Sequence, residues 1–226
     1  MSRSLELVRP WRGVGPEQRV AERRERLLDA ALEVFATETF HAAKVRDVCR
    51  AAGLTERYFY ESFPDKEALL TALADGIIAD FINAAGPSIA LLSTDLEPAL
   101  NGALTAVVRS LTGDRRRAQI LFVEVVGVSR AMETRRRDAI ASLVEVIRAG
   151  VEQAFGAWAR ESVEVELIAR SVIGAASELL VAYVRDELPL DQDGLVLNLN
   201  RLFLRTRPIL AALAASEDGP PARRTS

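Results

Sequence analysis

The stretch from Lys44 to Lys66 constrains this chain more than any other. Val45, Val48, Cys49 and Ala52 recur at helical spacing, so one face of a short helix is apolar and buried. Gly53 follows, a residue that adopts the left-handed conformation ending a helix without steric cost. Leu54 can fill the angle beyond it, and Thr55 is suited to cap a second helix. In that second helix Phe59 and Phe63 lie four apart and pin one side to a core. Glu56, Arg57, Tyr58, Tyr60, Glu61 and Ser62 are left on the outside. Two short helices joined by a tight glycine turn, the second with a polar and aromatic outer face, make a helix-turn-helix of the kind that enters a DNA major groove.

Three elements here recur in the order and spacing of a known family: Gly53-Leu54-Thr55, then Tyr58-Phe59-Tyr60, then Phe63-Pro64-Asp65-Lys66-Glu67-Ala68-Leu69-Leu70. Upstream, Arg26-Leu27-Leu28-Asp29-Ala30-Ala31 and Leu32-Glu33-Val34-Phe35-Ala36 are similar to the same family's first helix. Over roughly residues 19 to 72 the chain resembles the tetracycline-repressor-like (TetR) bacterial regulators. Tyr58 departs by standing where smaller residues are common, and Ser62 by standing where histidine often is. The resemblance implies an all-α protein of about nine helices. An N-terminal three-helix domain would bind DNA, and a C-terminal helical domain would dimerise and sense a small molecule.

Charge supports this by position rather than in bulk. The formal net charge is −3, so no overall basicity signals nucleic acid. Residues 1–28 nevertheless carry seven Arg against four Glu, and residues 44–60 carry Lys44, Arg46, Arg50 and Arg57 against Asp47 and Glu56. Cys49 is the single cysteine, which rules out an intramolecular disulfide. The start of the chain lacks an apolar signal core, and no uninterrupted apolar run approaches the roughly 18 residues that span a bilayer. A cytoplasmic protein without membrane association is expected. His41 and Cys49 lack the partners that an enzyme or a metal site needs, so no catalytic residue, metal or cofactor is expected.

The chain divides into a flexible arm over residues 1–15, the helix-turn-helix domain over 16–64, an effector-binding and dimerisation domain over 65–215, and a disordered tail over 216–226. Helices are expected from near Pro16, then through the motif, and from Asp65 to about Ala85, where Gly86-Pro87 would stop the chain. Further helices are expected from after Asp95 to Gly113, and over about 115–126, 130–155, 163–187 and 194–214, the last with a kink at Pro208. The residues Val172 to Val184 are apolar around nearly the whole circumference, with Glu178 the only charge. Such a helix is buried on all sides, either inside one subunit or by a second copy. Two such helix pairs would form a four-helix dimer interface through Val172, Ala175, Ala176, Leu179, Leu199 and Leu202.

Site residues follow from these placements. Lys44, Arg46, Thr55, Arg57, Tyr58 and Tyr60 lie where side chains meet phosphates and base edges. The resemblance adds Lys66 as a phosphate contact and Tyr60 as a backbone contact. The expected partner is a palindromic double-stranded operator bound by a homodimer. Phe81, Asn83, Leu104, Val108, Leu111, Phe122, Glu124, Val125 and Trp158 come from four helices and offer more apolar surface than polar handles. They would line a cavity for a small, mostly hydrophobic effector, with Glu124 or Asn83 orienting its polar group. The rival reading makes Phe81, Phe122 and Trp158 plain core. A ligand-responsive repressor is the reading of the whole. The alternative keeps the fold but drops the sensor, leaving a ligand-independent architectural or cell-division factor.

Overall fold

The computed structural model describes residues 15–89 and 96–216. The arm and the tail expected at the two ends lie outside them, apart from Gly15 and Ser216. The described residues are helical, with no strand among them: α1 Pro16–Glu38, α2 Val45–Ala52, α3 Glu56–Ser62, α4 Lys66–Ile89, α5 Leu96–Thr112, α6 Arg115–Gln119, α7 Arg130–Phe155, α8 Val163–Val184, α9 Gln192–Leu204 and α10 Arg207–Ala215. The contacts divide the chain into two compact units, one up to Leu73 and one from Ala74, and α4 runs through the boundary.

The first unit is built on α1, against which α2 and α3 both pack. Leu27, Ala31 and Phe35 of α1, Val48 and Cys49 of α2, Phe59 and Phe63, and Leu69 and Leu70 of α4 form its core. Gly53 closes α2 at φ 62°, ψ 37°, the left-handed conformation expected of it. The last carbonyls of a helix have no partner within it. Here Arg26 supplies one: its Nη2 donates to the Ala52 carbonyl at 2.5 Å and to that of Gly53 at 3.3 Å. Thr55 sits at the N-cap of α3, but its side chain makes no capping bond.

The second unit pairs α5 with α9, α7 with α8, and α8 with α6 and α9. The α5–α9 seam carries polar rungs, with Asn200 donating to Thr105 Oγ1 at 3.1 Å, Arg109 to Asp193 at 2.8 Å and Gln192 to Thr112 Oγ1 at 2.9 Å. A smaller apolar cluster joins Val151, Ala159, Val165 and Leu210, with Phe155, Trp158 and Ile168 against it.

Several expected boundaries move. Gly86-Pro87 does not stop α4, which continues to Ile89. Proline cannot donate to the carbonyl four residues back, but that residue is Asn83, exposed and within reach of water, so the loss is tolerated. The helix expected over 115–126 changes pitch at Ile120–Glu124, a π-helical turn in which Val125 N–H donates to the Ile120 carbonyl at 3.2 Å. The last helix is two: α9 ends at Leu204, and Pro208 lies in the first turn of α10, where a missing N–H costs nothing. A 3-10 turn at Ala157–Arg160 was not foreseen. By length and composition α4 and α8 could each cross a membrane, although isolated charges interrupt their apolar runs. Buried helices of water-soluble folds have the same composition, and α8 packs against α6, α7 and α9.

The turn at Gly53 gives a direct test. A Cβ there would lie 3.0 Å from Arg26 Nη2 and would adopt a positive φ. Gly53→Ala should lower the stability of the first unit by about 1–2 kcal/mol in a urea titration. An unchanged midpoint would mean that the turn relaxes freely.

Candidate nucleic-acid interface

In the first unit, α3 and the start of α2 present a set of exposed polar and aromatic side chains. Only Phe59 of α3 is fully buried, and it fixes the helix in rotation. That rotation turns Thr55, Arg57, Tyr58 and Tyr60 outward together. Arg57 is 84% exposed, with its Nε 3.1 Å from Glu61 Oε1. Tyr60 is 56% exposed and meets the ring of Phe59 edge-on at 5.2 Å. Tyr58 is 37% exposed, and the guanidinium carbon of Arg23 lies 4.6 Å from its ring centroid.

At the start of α2, Lys44 and Arg46 are exposed. Asp47 accepts the Lys44 backbone N–H at 3.0 Å and an Arg50 N–H at 2.7 Å. That backbone bond, with the neighbouring arginines, holds the Asp47 carboxyl below its ordinary value and keeps it charged. Cys49 lies on the buried face of α2, where desolvation raises its thiol pKa and disfavours the reactive thiolate. His41 is exposed and lies edge-on to Phe40 at 5.6 Å.

Lys66 has a different task from the one expected of it. Its ammonium donates to the carbonyls of Phe40 at 2.5 Å and Ala43 at 2.7 Å, and lies 4.3 Å from the Phe40 ring centroid. Burial pulls its pKa down from the usual lysine value. Two of its three N–H bonds therefore hold the turn between α1 and α2. A lysine following Pro-Asp reads as surface charge, because the carbonyls it serves lie over twenty residues upstream.

The comparisons with known proteins bear on this unit first. A family model for bacterial regulatory proteins, tetR family, matches residues 27–73. Over residues 27–73 the chain is thus similar to the helix-turn-helix region of the TetR family. The HTH-type transcriptional regulator YdgC of Bacillus subtilis, itself uncharacterized, is 43% identical over 60 residues, which is 26% of this chain and 29% of that protein. The regulator UidR of Escherichia coli is 36% identical over 50 residues, 22% of this chain and 26% of its own length. Each of these matches thus spans less than a third of the relative. Solved structures share the TetR-type fold more widely. The fatty acid degradation regulator FadR from Bacillus halodurans has a TM-score of 0.70 at 21% identity, covering 84% of this chain and 96% of that one. FadR from Bacillus subtilis, in complex with stearoyl-CoA, has a TM-score of 0.67 at 20% identity, with 79% and 96% covered.

In the second unit the expected effector residues are not all brought together. Val108, Leu111 and Val125 are buried core, and Leu104, Phe81 and Phe122 are half-buried. Glu124 is buried in the π-helical turn and accepts from Gln119 Nε2 at 2.9 Å. Trp158 belongs elsewhere, in the cluster of Val151, Ala159, Val165 and Leu210, with its indole N–H donating to the Phe155 carbonyl at 2.8 Å. Asn83 is exposed on α4. A shallow groove at the start of α7 is lined by Arg130, Ala131, Thr134, Arg135 and Asp138, none of which was an effector candidate.

The interface candidates divide in the same way. Ala175, Ala176 and Leu179 are half-buried and Leu202 is exposed. Val172 and Leu199 are buried within the chain itself, so they are core and not contact surface. Helical spacing reveals a stripe but not which neighbour covers it, and the seam with α5 takes the side of α9 that carries Leu195 and Leu199.

Lys66→Met tests the reassignment. It should destabilise the protein by about 1–2 kcal/mol, the range for hydrogen bonds made by a charged donor at a partly exposed site. Thermal unfolding would show the loss. A full-strength fold with a flatter salt dependence of DNA binding would return Lys66 to the phosphate role.

Proposed function

We propose that this chain is a DNA-binding transcriptional regulator that acts as a homodimer on a palindromic operator and releases it in response to a small hydrophobic effector. The observation that carries the reading is the outward face of α3. Arg57, Tyr58 and Tyr60 project together from a helix that Phe59, Gly53 and Arg26 hold rigidly, in a domain of the TetR family. Arginine can fork onto guanine, and tyrosine can meet a thymine methyl or a phosphate. Lys44 and Arg46 stand beside them as phosphate contacts. Arg57→Ala should cost roughly 1–3 kcal/mol on the preferred site and relax base preference there. Gel-shift titration against sites selected from random duplex DNA measures this. Equal binding to all duplexes by the wild type would sink the reading.

Dimerisation is supported by the uncovered part of α8. The most apolar window of this helix has a mean hydropathy of 1.6, yet only 28% of it is buried within the chain. Leu167, Ser171, Gly174 and Glu178 form an exposed stripe at helical spacing, and α9 exposes Leu197 and Leu202. So apolar a helix calls for a cover, and a second copy offers the same surface in return. Gly174 has open space around its Cβ position, so Gly174→Arg leaves the monomer unstrained. In a two-fold interface it would set a bulky charge against its own counterpart. Light scattering should find the wild type dimeric and Gly174→Arg monomeric with an unchanged helical spectrum. A wild type that is monomeric at micromolar concentration would refute the dimer.

For the effector, the support is the shared fold with a regulator solved with stearoyl-CoA, and the apolar residues of α5 and the π-helical turn. Glu124 already has Gln119 as a partner, so an effector that reaches it would join an existing hydrogen bond.

A further inference from the structure

Arg23 lies outside the helix-turn-helix, yet it touches two residues of α3. Its guanidinium carbon stands 4.6 Å from the Tyr58 ring centroid, and its Nη2 is 3.8 Å from Glu61 Oε2. The other oxygen of Glu61 receives Arg57 Nε at 3.1 Å. Arg23, Glu61 and Arg57 thus form a chain of alternating charge laid along α3, with the Tyr58 ring lodged against one end. The Arg23 side chain is only 22% exposed, whereas that of Arg57 is 84% exposed. The inner arginine is the fixed member and the outer one is free to move. Tyr58 has two rotatable bonds and is 37% exposed. The cation on its face, together with the body of α1, supplies a restraint on the ring.

We propose that Arg23 is a positioning residue for base recognition: held from α1, it orients the Tyr58 ring directly and Arg57 through Glu61. The inference rests on the DNA-binding reading and names a specificity determinant outside the motif that touches DNA. Arg23 needs no contact with a base. It narrows the orientations of two side chains that make such contacts, so less freedom is lost when a matching sequence binds and the discrimination against a mismatched one is larger.

The test uses the full chain and a pool of randomised duplex DNA. Selection with the wild type gives a preferred site, and single-base variants of that site give a discrimination profile. Arg23→Ala should lower discrimination about fivefold or more at the one or two positions read by Tyr58 and Arg57, while affinity for unrelated duplex stays within about twofold. In a Tyr58→Ala, Glu61→Gln background, the same Arg23→Ala change should have no further effect on the profile, because its two routes are gone. Thermal unfolding of each variant separates loss of fold from loss of positioning. Three results would overturn the proposal. One is a uniform weakening of all duplexes with a smaller salt slope, which would make Arg23 a phosphate contact. Another is an unchanged profile. The third is an effect that persists undiminished in the Tyr58→Ala, Glu61→Gln background. A wild type that selects no site overturns the DNA-binding reading and this inference together, whereas a wild type that selects a site and an Arg23→Ala variant that keeps its profile overturns this inference alone.

Discussion

The carbonyls at the end of α2 have to be answered before anything else in the first unit can stand. The chain turns sharply at Gly53, and the turn leaves Ala52 and Gly53 with carbonyl oxygens that no helical N–H reaches. Arg26 answers both from α1. Two residues earlier, Arg24 does the same at the far end of α3, donating to the Ser62 carbonyl at 3.1 Å with its guanidinium carbon 4.2 Å from the Phe63 ring centroid. Two arginines of α1, Arg24 and Arg26, thus clamp the far ends of the two short helices to one long one. Eight- and seven-residue helices are too short to persist alone in water. Their angle, and with it the direction of the α3 face, is set by this clamp and by the core beneath it.

That clamp changes the meaning of the charge distribution. The excess of arginine over residues 1–28 suggests a surface that faces phosphate. In the fold, Arg23, Arg24 and Arg26 turn toward Tyr58, Ser62 and Ala52 of their own domain. A guanidinium satisfies a helix-end carbonyl as readily as a phosphate, and a count of charges along the sequence does not tell the two apart. Lys66 is a second instance, with its ammonium on the Phe40 and Ala43 carbonyls.

The same limit explains which parts of the fold were legible. The motif from Val45 to Phe63 was readable because its signals are local: a left-handed glycine, two phenylalanines four apart, and apolar spacing within eight residues. Helix starts at Pro16 and Arg130 and ends at Thr112 and Phe155 were equally local. What failed was the part that depends on neighbours distant in sequence. Leu199 and Val172 were read as interface because their spacing fits any cover, and their own chain turned out to be the cover. Trp158 was grouped with Phe122 by its chemistry, but the turn at Ala157–Arg160 places it in the cluster of Leu210. Proline misled in opposite directions: at Pro87 the helix continues, and at Pro208 a new helix has just begun.

On the exposed face of α3 and the start of α2, three of the four cations lie beside a carboxylate. Asp47 receives Arg50 at 2.7 Å and has Arg46 at 3.9 Å, and Glu61 lies between Arg57 and Arg23. Pairs as exposed as Arg50–Asp47 and Arg57–Glu61 contribute at most about 1 kcal/mol each, so a phosphate or a base edge can displace the carboxylate at little cost. Until that exchange is made, the carboxylates cancel much of the attraction that the arginines exert at a distance. A surface of this kind draws in DNA of arbitrary sequence less strongly than its four cations between Lys44 and Arg57 suggest. On the DNA-binding reading proposed above, recognition leans on the groups that form none of these ion pairs, Lys44 and the rings of Tyr58 and Tyr60, and the ring contacts depend on orientation and hence on sequence. On that reading a protein of net charge −3 trades indiscriminate affinity for selectivity, with Glu61 on α3 taking part in it.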